Sequence, residues 1–307
     1  MVTSFRGTAR LETVSPLLPA PRPQTGNRLL VPVIRGQSAA SLLSIGDAIA
    51  ARLPSGGVVL SLVEIPPTWS GMVTSAVVRS RELLRWIAAS DYEPDAGQSE
   101  RLSIQSRFTT DPTASIREAL LETQCDTVLI ELPPSNARRR HRLEAILKRL
   151  SNDPQVSLVI ARPDPAALGG AIAPRSVLVP LRGGPNAWLA LGVGMAIASW
   201  ARARLTLMHV FDPLCHHALL HHEAAIFHQL TAAAETARPE IVEVFSGHPA
   251  DAMLEVAADH DVVVLGAYAD ASQAGLLLGQ MLSTVVSNLT RTVILTRAAT
   301  EDLYPAA

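Results

Sequence analysis

The chain has 307 residues, 48% of them apolar, with 26 basic against 28 acidic side chains and a formal net charge of −2. That length fits two domains of about 150 residues each, and the near-neutral balance excludes the broad basic face that a nucleic-acid partner requires. A charged residue interrupts every apolar run before the ~18 residues that a membrane span needs, and Cys125 and Cys215 are too few for a disulfide framework.

Residues 1–27 carry Arg6, Arg10 and Glu12 and no continuous apolar run, so they do not read as a secretory signal. Pro16, Pro19, Pro21 and Pro23 predict a disordered, extended tail there. The two isolated thiols suit a reducing cytoplasm. The first strand is expected over 28–33 (RLLVPV), ending in Ile34-Arg35-Gly36 and followed by a helix over 38–53. Strand two follows at 57–64, a helix at 77–89, strand three at 102–108 and a helix at 114–123. Strand four spans 127–131, a helix 137–150 and strand five 156–161. Between 162 and 175, three prolines and Gly169-Gly170 mark a linker, placed at 166–174.

The second half repeats this order. A strand at 176–181 ends in the turn Arg182-Gly183-Gly184-Pro185-Asn186, before an Ala-rich helix over 188–203. Strand 205–210, a long helix over 217–238, strand 241–245 and a helix over 249–259 come next. Strand 261–265 leads through a glycine-spaced loop to a helix at 282–289 and a last strand at 292–296, with a tail over 299–307. Strands alternating with helices, several of them apolar on both faces, predict parallel α/β sheets covered on two sides. The openings RLLVPVIRG and SVLVPLRGG align, as do QCDTVLIE and DHDVVVLG, so the chain reads as a duplication. The two domains are placed at 28–165 and 175–298.

These features together resemble a tandem universal stress protein, the second domain with a degenerate ATP-binding glycine loop. The resemblance implies two tandem open five-stranded sheets of order 3-2-1-4-5 with helices on both faces. It also implies a pseudo-dimer in which the last strands, 156–161 and 292–296, meet. Nucleotide-binding members of that family carry Gly-x2-Gly-x9-Gly-Ser/Thr after strand four; here Gly266, Ala269 and Gly279 hold the glycine positions and Gln280 follows. The implied ligand is ATP or another adenine nucleotide. The implied binding residues are Leu181, Arg182, Gly183, Gly184, Val210, Leu265, Gly266, Ala269, Gly279, Gln280, Met281 and Leu282. The chain departs from the pattern where binding members place an aspartate at the end of strand one: Ile34 and Arg182 stand there. In the first half Glu131-Leu132-Pro133-Pro134 replaces the glycine loop, and a carboxylate followed by two residues lacking N–H groups is hostile to phosphate.

Other polar groups read less sharply. Cys215, His217, His221 and Glu223 lie close in sequence, and the two histidines share a helical face, but solvated histidines explain the pattern without a metal. His209 is expected as a core histidine with one hydrogen bond, and His248 and His260 as capping or solvated groups. Trp86, Trp188 and Trp200 are expected in core or interface. Arg138, Arg139, Arg140 and Arg142 form a basic helix start, and Asp251, Glu255 and Asp259 a water-facing stripe. There is no Gly-x-Ser-x-Gly elbow, Walker loop or Cys-x2-Cys pair. The expected function is therefore a non-enzymatic stress or signalling protein. Its second domain senses an adenine nucleotide, and binding shifts how the halves dock or what they present to a partner. Two other readings stay open: a cytosolic regulator of a membrane transporter without nucleotide, and a slow ATPase of the same superfamily. Homodimerisation of the whole chain also stays open.

Overall fold

The computed structural model describes residues 28–34, 39–64, 101–132, 137–164, 171–267 and 280–299. The expectations for 1–27, Arg35, Gly36, the 77–89 helix with Trp86, Pro133, Pro134, Gly169, Gly170, Ala269, Gly279 and the tail from 300 lie outside these residues. So do the side chains of 137–142, His217, Gln280 and Met281.

Strands with no polar face build the framework. β1 (Leu29–Val33) and β6 (Ser176–Pro180) are buried along their whole length, as parallel strands between two helical layers must be. In the first half β1 leads to α1 (Ala39–Ala50), β2 (Gly57–Glu64), β3 (Leu102–Thr109), α2 (Pro112–Thr123), β4 (Thr127–Glu131), α3 (Ala137–Ser151) and β5 (Ser157–Arg162). In the second half β6 leads to α4 (Pro185–Ala201), β7 (Arg204–Phe211), α5 (His217–Ala233) and a 3₁₀ turn at Glu235–Ala237. β8 (Glu240–Phe245), α6 (Pro249–Ala257), β9 (Val262–Gly266), α7 (Gln280–Asn288) and β10 (Thr292–Arg297) complete it.

Helix ends follow local chemistry. Asp111 caps α2, its carboxylate accepting from the N–H groups of Thr113 at 2.9 Å and Ala114 at 3.2 Å, with Pro112 at the first helical position. α4 starts three residues earlier than the sequence pattern indicates, because Pro185 occupies its first position behind Gly184 (φ +80°). The helix expected over 217–238 stops at Ala233, and Arg238 closes the 3₁₀ turn with a left-handed φ of 49°.

The ten strands form one sheet in the order β3-β2-β1-β4-β5-β10-β9-β6-β7-β8. Each half has the expected order 3-2-1-4-5, and all pairings within a half are parallel. The halves meet as the pseudo-dimer implies: β10 pairs antiparallel with β5, Val293 opposite Arg162 and Arg297 opposite Leu158. The cores do not stop at this seam. One layer joins Val31, Leu43 and Ile45 with Val179, Leu191 and Phe227, and the other joins Leu30, Ile116 and Leu147 with Met208, Val263 and Val285.

Polar contacts lock the seam on both faces. Arg162 donates to the carbonyls of Val286 at 2.6 Å and Leu289 at 2.5 Å, at the end of α7 in the other half. Arg297, its counterpart, donates to the carbonyls of Leu150 at 3.2 Å in the last turn of α3 and of Asp153 at 3.0 Å and Val156 at 2.8 Å in the connection to β5. Each half therefore supplies a guanidinium that satisfies the orphan carbonyls of the other's helix. On the opposite face the Trp200 indole N–H of α4 donates to Asp47 of α1 at 2.8 Å, so Trp200 is the interface residue its helical position implies. Trp200→Phe keeps the ring and removes this bond. The expected cost is about 1–2 kcal/mol, read as a lower urea midpoint with an unchanged slope.

Candidate functional site

In an open α/β sheet, ligands bind beyond the carboxyl ends of the strands where the order reverses. In the second half that point lies between β6 and β9. Beyond β6, the Leu181 N–H donates to Met208 at 2.8 Å and the Leu181 side chain is buried. Its carbonyl accepts from His209 Nδ1 at 2.5 Å; since a carbonyl only accepts, that nitrogen carries a proton. His209 is thus the core histidine with one hydrogen bond that the sequence indicates. Its Nε2 lies 3.7 Å from Glu223 of α5, whose other carboxylate oxygen is 3.9 Å from Arg182 Nε.

The turn after Leu181 is open backbone. Gly183 (φ +116°) and Gly184 (φ +80°) adopt conformations that residues with a Cβ rarely take. Ile226 of α5 closes over Gly183, whereas nothing lies within 4 Å of where a Gly184 side chain would project. Arg182 points into solvent, its side chain 82% exposed, so its contact with Glu223 is a weak surface pair and the guanidinium is free to meet an anion. Val210 stands half-buried near the end of β7, the strand beside β6.

β9 comes against the start of α4. A Cβ on Gly266 would sit 3.1 Å from both the carbonyl carbon and oxygen of Asn186 and 3.3 Å from the Ala187 nitrogen. The Asn186 side chain stitches this junction, its amide donating to the Ala267 carbonyl and its Oδ1 accepting from the Ala298 N–H at 2.8 Å. The Thr296 hydroxyl adds a bond to the Asn186 carbonyl at 3.2 Å. Sequence reasoning passes over Asn186; its one signal is an amide side chain directly behind Gly-Gly-Pro. Leu265 and Leu282 are buried in the layer that packs against α6 and α7. The structure therefore gathers Leu181, Arg182, Gly183, Gly184, Val210 and Gly266 at one end of the sheet, while the Leu265 and Leu282 side chains belong to the core.

The first half shows the same skeleton without the same chemistry. Leu132 donates to Ala161 at 2.7 Å just as Ala267 donates to Thr296 at 2.8 Å, but Glu131 occupies the position of Gly266. His260 departs from its expected capping or solvated role. It is buried, with Nδ1 2.8 Å from the Val256 carbonyl and Nε2 2.9 Å from the Thr206 hydroxyl, tying α6 to β7. Asp251, Glu255 and Asp259 face water as expected. Among the described residues, no three His, Cys, Asp or Glu side chains converge to hold a metal ion. Cys125 is buried; desolvation pushes its thiol pKa up, against a hydrogen bond from Thr123, so it is held as the unreactive thiol.

The arrangement defines a doubled, doubly wound α/β protein whose two five-stranded halves share one sheet. A sequence model of the universal stress protein family matches residues 174–297. The C-terminal half is thus a universal stress protein domain, and the N-terminal half repeats its strand order, giving the tandem arrangement. A universal stress protein from Archaeoglobus fulgidus DSM 4304 is similar in structure, with a TM-score of 0.53 at 15% identity over 89% of this chain and 97% of that one. The cytoplasmic domain of a prokaryotic cation chloride cotransporter is similar to the same degree, with a TM-score of 0.53 at 15% identity over 90% and 99%. No curated protein sequence matches the chain, and no described helix is long and apolar enough to cross a membrane.

Proposed function

We propose that this chain is a non-enzymatic, cytoplasmic stress-response regulator whose C-terminal half reads an adenine nucleotide. The observation that carries the proposal is the turn Arg182-Gly183-Gly184. An exposed guanidinium adjoins two glycines at positive φ, with open space beside the second, at the reversal point of the half that keeps Gly266. Arg182 would meet phosphate, Gly183 and Gly184 would let backbone approach it, and Leu181 and Val210 would border the base. The family resemblance adds Ala269, Gly279, Gln280 and Met281 to this set. Because the halves share one sheet and both core layers, binding alters what the C-terminal face presents rather than how the halves dock.

Calorimetry of the whole chain with ADP and with ATP tests the reading. Binding is expected, and Arg182→Ala weakens it by about tenfold, the loss of one charge-assisted contact. No heat with either nucleotide at high protein concentration refutes it. Steady phosphate release from ATP with magnesium would replace it by the ATPase reading.

A second reading, a regulator of a membrane transporter that works without nucleotide, has its own support. Asn186 already bonds Ala267 and Ala298 across the crevice. The same two-part fold also serves as the cytoplasmic domain of a transporter. Co-purification of a transporter with chain free of nucleotide favours this reading.

A further inference from the structure

The two outermost strands carry a matched feature that the crevice does not use. Val31, Val59 and Ile104 lie in one register row of the first half, and Val179, Leu207 and Ile241 lie in the corresponding row of the second. Four residues further on, Val63 faces Phe108 and Phe211 faces Phe245. An isoleucine and a phenylalanine thus stand at equivalent places on both sheet edges. All four are exposed: Ile104 by 51%, Phe108 by 46%, Ile241 by 45% and Phe245 by 66%. Large apolar groups in water at the same two positions of both repeats are costly to stability, which points to a use for them.

β8 is the clearer edge. Among the described residues its strand neighbour is β7 alone. The Ser246 N–H donates to the Phe211 carbonyl at 2.9 Å, so by strand alternation the backbone groups of 240, 242 and 244 face β7. Those of Ile241, Glu243 and Phe245 face outward, three donors and three acceptors set out as a template. Soluble proteins usually blunt such an edge with lysine, proline or a bulge, yet the strand reads EIVEVF and has neither residue. Its charges are acidic. Glu240 contacts Arg204 at 3.4 Å, whereas Glu243, exposed between the two apolar side chains, has no ion-pair partner among the described residues.

We propose that the β8 edge is a docking rail for an extended segment of another protein, one whose every second residue runs apolar, basic, apolar, so that the three side chains share the face of Ile241, Glu243 and Phe245. The segment adds as an eleventh strand through the backbone of Ile241, Glu243 and Phe245. Its apolar side chains lie beside Ile241 and Phe245, and its basic group lies against Glu243. A second copy of this chain is the poorer occupant, since β8 against β8 brings Glu240 and Glu243 of both copies to one seam. The proposal is independent of the nucleotide reading.

The test uses the full chain and two capped, labelled heptapeptides, Thr-Val-Thr-Lys-Thr-Val-Thr and the same peptide with glutamate in place of lysine, so that valine, lysine and valine share one face, followed by fluorescence anisotropy. The lysine peptide is expected to bind at least tenfold more tightly than the glutamate peptide. Glu243→Pro removes an outward N–H while leaving the β7 ladder intact, and should abolish that binding. Glu243→Lys, which leaves the backbone as it is, should reverse the preference between peptides. Equal binding of both peptides, or binding unchanged by both substitutions, overturns the proposal. So does a dimer of the chain that Glu243→Lys dissolves while neither peptide binds.

Discussion

Replacing Arg297 by methionine is expected to cost about 3–5 kcal/mol, the range for removing one member of a buried, hydrogen-bonded charge site. Arg297 is 7% exposed, and its guanidinium reaches three carbonyls between the last turn of α3 and the start of β5. Burial holds its pKa below the ordinary arginine value, with Asp153 pulling the other way. Methionine fills much of the space but leaves those carbonyls without the donor. Arg297→Lys keeps a charge without the planar fork and should fall between the two. Arg162→Met removes the reciprocal cap on α7 at a smaller cost, because Arg162 is only half-buried. The two arginines serve different helices, so their losses should add. Urea unfolding followed by circular dichroism measures both. The double variant should also show separate transitions for the two halves, because each clasp contacts both. A full-strength single transition in Arg297→Met would show that the continuous apolar layers alone hold the seam.

How far this was legible in the sequence depends on where each residue finds its partner. The apolar runs RLLVPV, TVLIE, SVLVP and VVVLG state their own burial and their repetition states the duplication, while the strand order is implied by the family resemblance. The two arginines state nothing of the kind. The strands expected over 156–161 and 292–296 stop one residue short of them, since a charged strand end ordinarily meets water. Their partners lie 124 and 147 residues away in sequence, at helix ends that only the assembled seam brings close. The crevice divides similarly. Gly183 and Gly184 announce a turn, but Asn186 joins Ala267 and Ala298 from residues 81 and 112 positions away. Ile104, Phe108, Ile241 and Phe245 are hidden for the opposite reason: isoleucine and phenylalanine in a strand read as core, and only the strand order shows that these two strands lie outermost.

Gly266 then separates two explanations of the glycine pattern. Packing alone accounts for it: a Cβ there would meet the backbone of Asn186 and Ala187, which Thr296 and the Asn186 side chain hold in place. Gly266→Ala adds a methyl 3.1 Å from that carbonyl, and backbone cannot move aside as a flexible side chain would. About 1 kcal/mol is expected for alanine, and about 2–4 kcal/mol for Gly266→Val, whose branched carbons overpack the junction. This loss should appear in urea without any nucleotide present. If nucleotide also binds here, saturating ADP should raise the midpoint of the wild type more than that of Gly266→Ala, because ligand adds stability only in proportion to its affinity. An equal rise in both proteins would leave the glycine a packing residue and assign phosphate recognition to Arg182, Gly183 and Gly184. Gly266→Val as stable as the wild type would contradict the junction geometry itself.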